Sequence, residues 1–60
     1  MNDDLCFEYA VRFADGTYYT GRAGEGFKGA RHEAFTFTEM GAHAKIQRMG
    51  WAGATVEHVL

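Results

Sequence analysis

The chain has 60 residues, six basic and eight acidic side chains, a formal net charge of −2, and one cysteine. That charge argues against a general nucleic-acid binder, which usually needs a basic stripe, and is too mild for an acidic DNA mimic. A single cysteine excludes an internal disulfide, no zinc-ligand spacing is present, and a chain of this size buries only about 60% of its unfolded surface. Oligomerisation is then the expected source of extra stability.

The first predicted element is a strand over residues 5–13. Leu5, Phe7, Tyr9, Val11 and Phe13 alternate with Cys6, Glu8, Ala10 and Arg12, the period-two pattern of a half-buried strand. Asp15-Gly16 follows, and Asp-Gly between alternating runs is a strong hairpin signal. A two-residue type I′ loop would set Phe13 opposite Tyr18 and Val11 opposite Thr20. Strand two, residues 17–22, would then add Tyr18 and Thr20 to the apolar face. Tyr19 would join the mixed face beside Arg12.

Residues 21–33 form a glycine-rich connection holding Gly21, Gly24, Gly26 and Gly29. A long loop in so small a domain is expected to be functional or mobile. Phe35-Thr36-Phe37-Thr38 alternates and reads as a short strand or an extended lead-in. A helix is predicted over residues 39–49. Thr38 is its N-cap, with Thr36 and Glu39 offering a competing capping box. Gly50 is its left-handed stop, and Lys45 and Arg48 suit its negative end. Trp51-Ala52-Gly53 makes a turn into a closing strand over residues 54–60.

The fold expected is therefore α+β in a single domain over residues 1–60. An N-terminal antiparallel hairpin and a glycine-rich loop precede one helix. That helix packs on a three- to four-stranded antiparallel sheet completed by the C-terminal strand. Ala42, Ile46 and Met49 form the helix stripe facing the sheet. Met40, Ala44 and Gln47 fall on the opposite side. With Trp51 and Tyr19 they are candidates for an interface with a partner or with a second copy, against the alternative of ordinary scattered surface residues. The mixed face of the sheet, with Cys6, Glu8, Ala10 and Arg12, is expected to be solvated or to contact a partner, since no other segment is long enough to cover it.

Three signals for chemistry are present and each has a plainer reading. Residues 24–29 match G-x-G-x-x-G, but a dinucleotide cradle needs those glycines at a strand-to-helix turn. Arg22, Phe27, Lys28 and Arg31 interleave cations with an aromatic. They are candidates to contact an acidic partner surface or, alternatively, a nucleic-acid backbone. His32, His43, His58 and Cys6 match no metal template, and Cys6 has no base at a fixed spacing. No cofactor, metal or enzyme activity is expected. The chain has no apolar run long enough to span a bilayer, and Asn2, Asp3 and Asp4 give its start the wrong charge for export. A cytoplasmic location is expected.

Residues Tyr9 to Gly21, Phe37-Thr38, Gly41-Ala42 to Met49-Gly50 and Gly53-Ala54-Thr55-Val56-Glu57 together resemble short orphan proteins of β-β-α-β type common in phages and prophages. The resemblance covers most of the chain and its motifs are structural. It implies a small non-enzymatic binder, acting as a homodimer, that blocks or modulates a larger bacterial host protein. Anti-CRISPR-like inhibition of a defence system is the leading case. No functional residue is carried over from it. The alternatives are an accessory module binding nucleic acid or phosphate through the basic glycine-rich loop, and a structural subunit of a larger assembly.

Overall fold

A computed structural model of the chain describes residues 6–60. Leu5 and the acidic start at Asn2, Asp3 and Asp4 lie outside the described residues. The elements are β1 (Tyr9–Arg12), β2 (Tyr18–Tyr19), β3 (Lys28–Gly29), α1 (Glu39–Met49) and β4 (Thr55–His58), with short 3₁₀ turns at Ala23–Glu25 and Arg31–Glu33. The four strands form one antiparallel sheet in the order β3-β2-β1-β4. The helix packs on one face of it, over β1 and β4. No described helix is long and apolar enough to cross a membrane.

The hairpin differs from expectation by one residue, and that slip moves every side chain of β2. Gly16 donates to the Phe13 carbonyl at 2.9 Å and Phe13 donates to the Thr17 carbonyl at 2.7 Å. Within the turn only Gly16 has a positive φ, +90°. This is a three-residue loop: a type I turn closed by a left-handed glycine, in place of the two-residue type I′ loop. Arg12 therefore opposes Tyr18. Tyr19 moves to the helix face, and Tyr18 and Thr20 go to the mixed face, reversing the predicted assignment. Asp15 accounts for the choice. Its Oδ1 accepts from the Thr17 backbone N–H at 2.9 Å and from the Thr17 hydroxyl at 2.6 Å, a local turn that stabilises the longer loop.

Those bonds also set the behaviour of the turn in acid. The Thr17 hydroxyl, then the Thr17 N–H, then nearby Lys28 hold the Asp15 carboxyl down at about 2 from an ordinary 3.8. A folded-state value below the unfolded one adds stability above the unfolded value, and that stability is lost as pH falls through the folded value. Asp15→Asn should therefore lower Tm at neutral pH. The gap to the parent should shrink as pH falls from about 4 towards about 2, and thermal melts over that range check it. A gap independent of pH would contradict this reading.

The regular strands are shorter than the alternating runs. Cys6 to Glu8 lie outside β1, which begins at Tyr9, and β2 stops at Tyr19, not Arg22. The hairpin opens beyond the Arg12–Tyr18 pair, and the chain at 35–37 bonds to both of its arms. Phe35 donates to the Tyr19 carbonyl at 2.9 Å, while Tyr9 and Phe37 exchange two backbone bonds at 3.0 and 2.7 Å. The glycine-rich connection is likewise not a plain loop, since it contains β3 and both 3₁₀ turns.

The helix has the predicted ends. Thr38 Oγ1 accepts from Gly41 N at 3.0 Å, so Thr38, not Thr36, is the cap. Gly50 closes the helix with φ +69° and donates to the Ile46 carbonyl. Ala42 is fully buried against the sheet and Ile46 is half-buried, but Met49 is 49% exposed and Phe7 is 56% exposed. Neither belongs to the core as expected. The buried set is Ala10, Val11, Tyr18, Thr20 and Ala42.

The mixed face is covered by the chain itself. Tyr18 stands on β2 and its hydroxyl donates to Glu57 Oε1 on β4 at 2.8 Å, so its ring must cross β1 between them. Arg31 donates from Nε to Glu57 Oε2 at 2.9 Å and from Nη2 to the His58 carbonyl at 3.4 Å. Arg31 first and Tyr18 second lower the Glu57 pKa, and the same carboxylate raises those of Tyr18 and Arg31. This side-chain strap accounts for the burial of Ala10 and Tyr18 without a covering helix.

Candidate protein-binding surface

The helix lies over β1 and β4, so the β2–β3 half of the same face must be filled otherwise. Aromatic side chains fill it. Tyr19 is the hub: its ring centroid lies 6.0 Å from Phe27, 6.2 Å from Phe35, 6.0 Å from Phe37 and 5.3 Å from Trp51. Phe35 and Phe37 pack at 4.9 Å, and Trp51 meets Phe13 edge-on at 4.9 Å. Phe27 lies nearly parallel to Tyr19, with 11° between the rings. Phe27 remains 43% exposed and Phe35 51% exposed. The result is an aromatic shelf, not a closed core.

Two lysines border the shelf. Lys45 places Nζ 5.2 Å from the Tyr19 centroid, and Lys28 places Nζ 5.1 Å from the Phe13 centroid, both within cation–π range. Lys28 is shared with Asp15 at 3.3 Å. Lys45 makes no ion pair among the described residues. Arg48, one helical turn on, is exposed and also without one.

Phe27 occupies its place against two costs. Its φ is +64°, and it is the one non-glycine with positive φ among the described residues. For a bulky L-residue that conformation costs about 1–2 kcal/mol. It is held from both sides: Phe27 N donates to the Arg22 carbonyl at 3.0 Å and Thr20 N donates to the Phe27 carbonyl at 2.9 Å. The second cost is the exposed aromatic surface itself.

The four cationic-loop candidates separate. Phe27 and Lys28 reach the shelf. Arg22 pairs with Glu25 at 3.6 Å, with both side chains about half exposed. Arg31 turns to the opposite face and joins the Glu57 strap. Among the interface candidates, Met40, Ala44 and Gln47 are exposed on the outer side of α1, as expected. Trp51 is half-buried in the ring cluster and Tyr19 is its hub, so neither forms part of a free patch with Met40. Sequence reading missed Phe35 and Lys45. The alternation of Phe35 with Phe37 carried the first signal, because it places both rings on one side of an extended segment.

The described residues hold no group of three or more His, Cys, Asp or Glu suited to a metal ion. Residues 24–29 run from a 3₁₀ turn into β3, so the glycines do not open a helix. His58 is exposed on the edge strand. It contacts Glu8 at 2.9 Å, and its ring centroid lies 4.9 Å from that of Tyr9 with the two rings tilted by 50°. No protein-family model, curated protein or solved structure matches the chain.

Proposed function

We propose that the chain is a small non-enzymatic protein-binding module whose contact surface is the shelf of Tyr19, Phe27 and Phe35. One observation carries this reading: Phe27 is kept exposed in a left-handed backbone conformation. Such strain, at a residue folding does not need to expose, clusters at binding sites. Rigid aromatic anchors of this kind dominate interface energetics. The partner that fits is a folded protein with an apolar patch set among carboxylates, since Lys45 lies over Tyr19 without an ion pair and the exposed Arg48, three residues along the helix, has none among the described residues. The resemblance to short phage-encoded proteins makes a bacterial host protein, a defence enzyme among them, the partner class.

The competing reading is single-stranded nucleic acid stacked on the same rings. Lys45 over Tyr19 favours it. The net charge of −2 and the internal pairing of Arg22 and Arg31 weigh against it.

The test compares the parent with Phe27→Gly and Phe35→Ser. A protein captured from bacterial lysate is purified and titrated with each form, alongside single-stranded oligonucleotides. Phe27→Gly relieves the left-handed strain while removing the ring, so its Tm should stay close to the parent's. Its affinity for the captured protein should fall at least about tenfold, as expected on loss of a hot-spot aromatic. Unchanged affinity in both variants would overturn the proposal. Oligonucleotide binding that weakens steeply with salt, with no protein captured, would replace it by the nucleic-acid reading.

A further inference from the structure

β4 is an outer strand, and the direction of its backbone groups follows from the bonds of β1. Tyr9 exchanges both of its backbone bonds with Phe37, on the side of β1 away from β4. Alternation turns Glu8, Ala10 and Arg12 towards β4, and Val59 N donates to the Glu8 carbonyl at 2.9 Å. Their partners Glu57 and Thr55 therefore point their backbone groups inward, and Val56 and His58 point theirs outward. Two groups along that edge are satisfied internally: Ala54 N donates to the Trp51 carbonyl at 3.3 Å, and the His58 carbonyl accepts from Arg31 at 3.4 Å. Among the described residues, the Val56 N–H and carbonyl, the His58 N–H and the Ala54 carbonyl have no partner.

We infer that a second copy of this chain pairs with β4, antiparallel, about a two-fold axis through Val56. This goes beyond the proposed function and rests on a different surface. A two-fold perpendicular to the sheet keeps each face continuous, so the axis must pass through a residue and not between two. Centred on Glu57, it would set two carboxylates directly opposite each other, which is unfavourable. Centred on Thr55, it would set Glu57 against Gly53, whose φ of +81° takes it out of the strand. Centred on Val56, it opposes Thr55 to Glu57 and Ala54 to His58, with no like charges facing. It also matches the free groups: two bonds between the Val56 residues, and two from His58 N–H to the Ala54 carbonyl of the other copy.

The helices fit the same arrangement. α1 packs on both β1 and β4, so its axis lies between them. Strands about 4.8 Å apart then place the two helices about 10 Å apart, the separation of a packed helix pair. Lys45 lies over Tyr19 on β2, so the other side of the helix, bearing His43 and Gln47, faces the second copy. The dimer is an eight-stranded sheet with two helices side by side on one face, and the aromatic shelves at its far ends.

Sedimentation equilibrium from micromolar to millimolar concentration tests this. The parent should approach twice 6.7 kDa. Val56→Pro removes the central N–H, and proline is tolerated at an outward edge position; it should be monomeric throughout with an unchanged circular dichroism spectrum. Thr55→Glu opposes a new carboxylate to Glu57 of the second copy and should weaken the dimer several-fold, whereas Thr55→Lys should not. Because Thr55 is exposed, these variants remain informative if Val56→Pro fails to fold. Phe27→Gly should leave the mass unchanged, which separates this result from that of the shelf. A parent that stays monomeric, or a dimer indifferent to Thr55→Glu, overturns the inference.

Discussion

Replacing Tyr19 by alanine should cost about 3 kcal/mol, at the low end of the range for aromatic truncation because the residue is half-buried. For a chain of 60 residues, a total stability of about 3–9 kcal/mol is typical, so Tyr19→Ala should leave a population of unfolded chains at room temperature. The reason is position. Tyr19 alone touches Phe27, Phe35, Phe37 and Trp51, and Lys45 lies over its ring. The helix packs over β1 and β4, so on this half of the sheet Lys45 is the helix side chain that lies over the gap the ring would leave. Tyr19→Phe keeps every ring contact and no hydrogen bond of the Tyr19 hydroxyl is present among the described residues, so it should melt close to the parent. Tyr19→Leu keeps apolar mass without the ring and should fall between them. Urea melts of the three variants check the order. Equal stabilities for Tyr19→Ala and the parent would mean that the cluster contributes nothing to the fold.

The features legible in the sequence are those set by neighbours in the chain. Thr38 caps and Gly50 ends the helix because each satisfies orphan backbone groups within a turn or two of itself. The closing strand, the hairpin and the helix on an antiparallel sheet follow from periodicity in the same way. The register of the hairpin did not follow, because Asp15-Gly16 serves two loops equally well. Glycine can be the second residue of a type I′ pair or the left-handed closing residue of a three-residue loop. The Asp15–Thr17 bonds that select the longer loop depend on a rotamer, not on a pattern. That single residue of slip carried Tyr19 from the mixed face to the centre of the candidate site.

Other features were hidden for different reasons. A two-residue strand such as β3 has no period to detect inside a run of glycines. The strap over the mixed face joins Tyr18, Arg31 and Glu57, residues 39 and 26 positions apart in the chain. No local rule brings them together, so that face read as uncovered. For the candidate site, Phe27 and Lys28 were visible as an aromatic beside a cation. Lys45 was assigned to the helix dipole, and its place over Tyr19 depends on which side of the helix meets β2. Arg31 shows the converse case. Its charge placed it in the cationic loop, but the nearest carboxylate in space belongs to β4.

Gly53→Ala should lower stability by about 2 kcal/mol, with two separable causes. Gly53 has φ +81°, a conformation that costs an L-residue about 1 kcal/mol relative to glycine. A Cβ there would also lie 2.9 Å from the Ala14 Cβ, closer than two methyl groups approach, so the backbone of one turn must shift. The contact is informative because it lies just past the Arg12–Thr55 end of the β1–β4 ladder, where the hairpin turn between β1 and β2 meets the turn from α1 into β4. Ala14→Gly removes the obstructing methyl but not the left-handed strain. The double variant should therefore be less destabilised than the sum of the two single changes, by about 1 kcal/mol of coupling. In a domain of this size that is a Tm difference of about 4–8 °C. Melting the parent, both single variants and the double variant completes the cycle. Strict additivity would mean the turns do not touch. The same contact bears on the shelf, because the turn at Gly53 begins with Trp51, whose ring packs on both Phe13 and Tyr19. Gly53→Ala should then loosen Trp51 and quench its edge-on signal in near-ultraviolet circular dichroism, and Ala14→Gly should restore part of it.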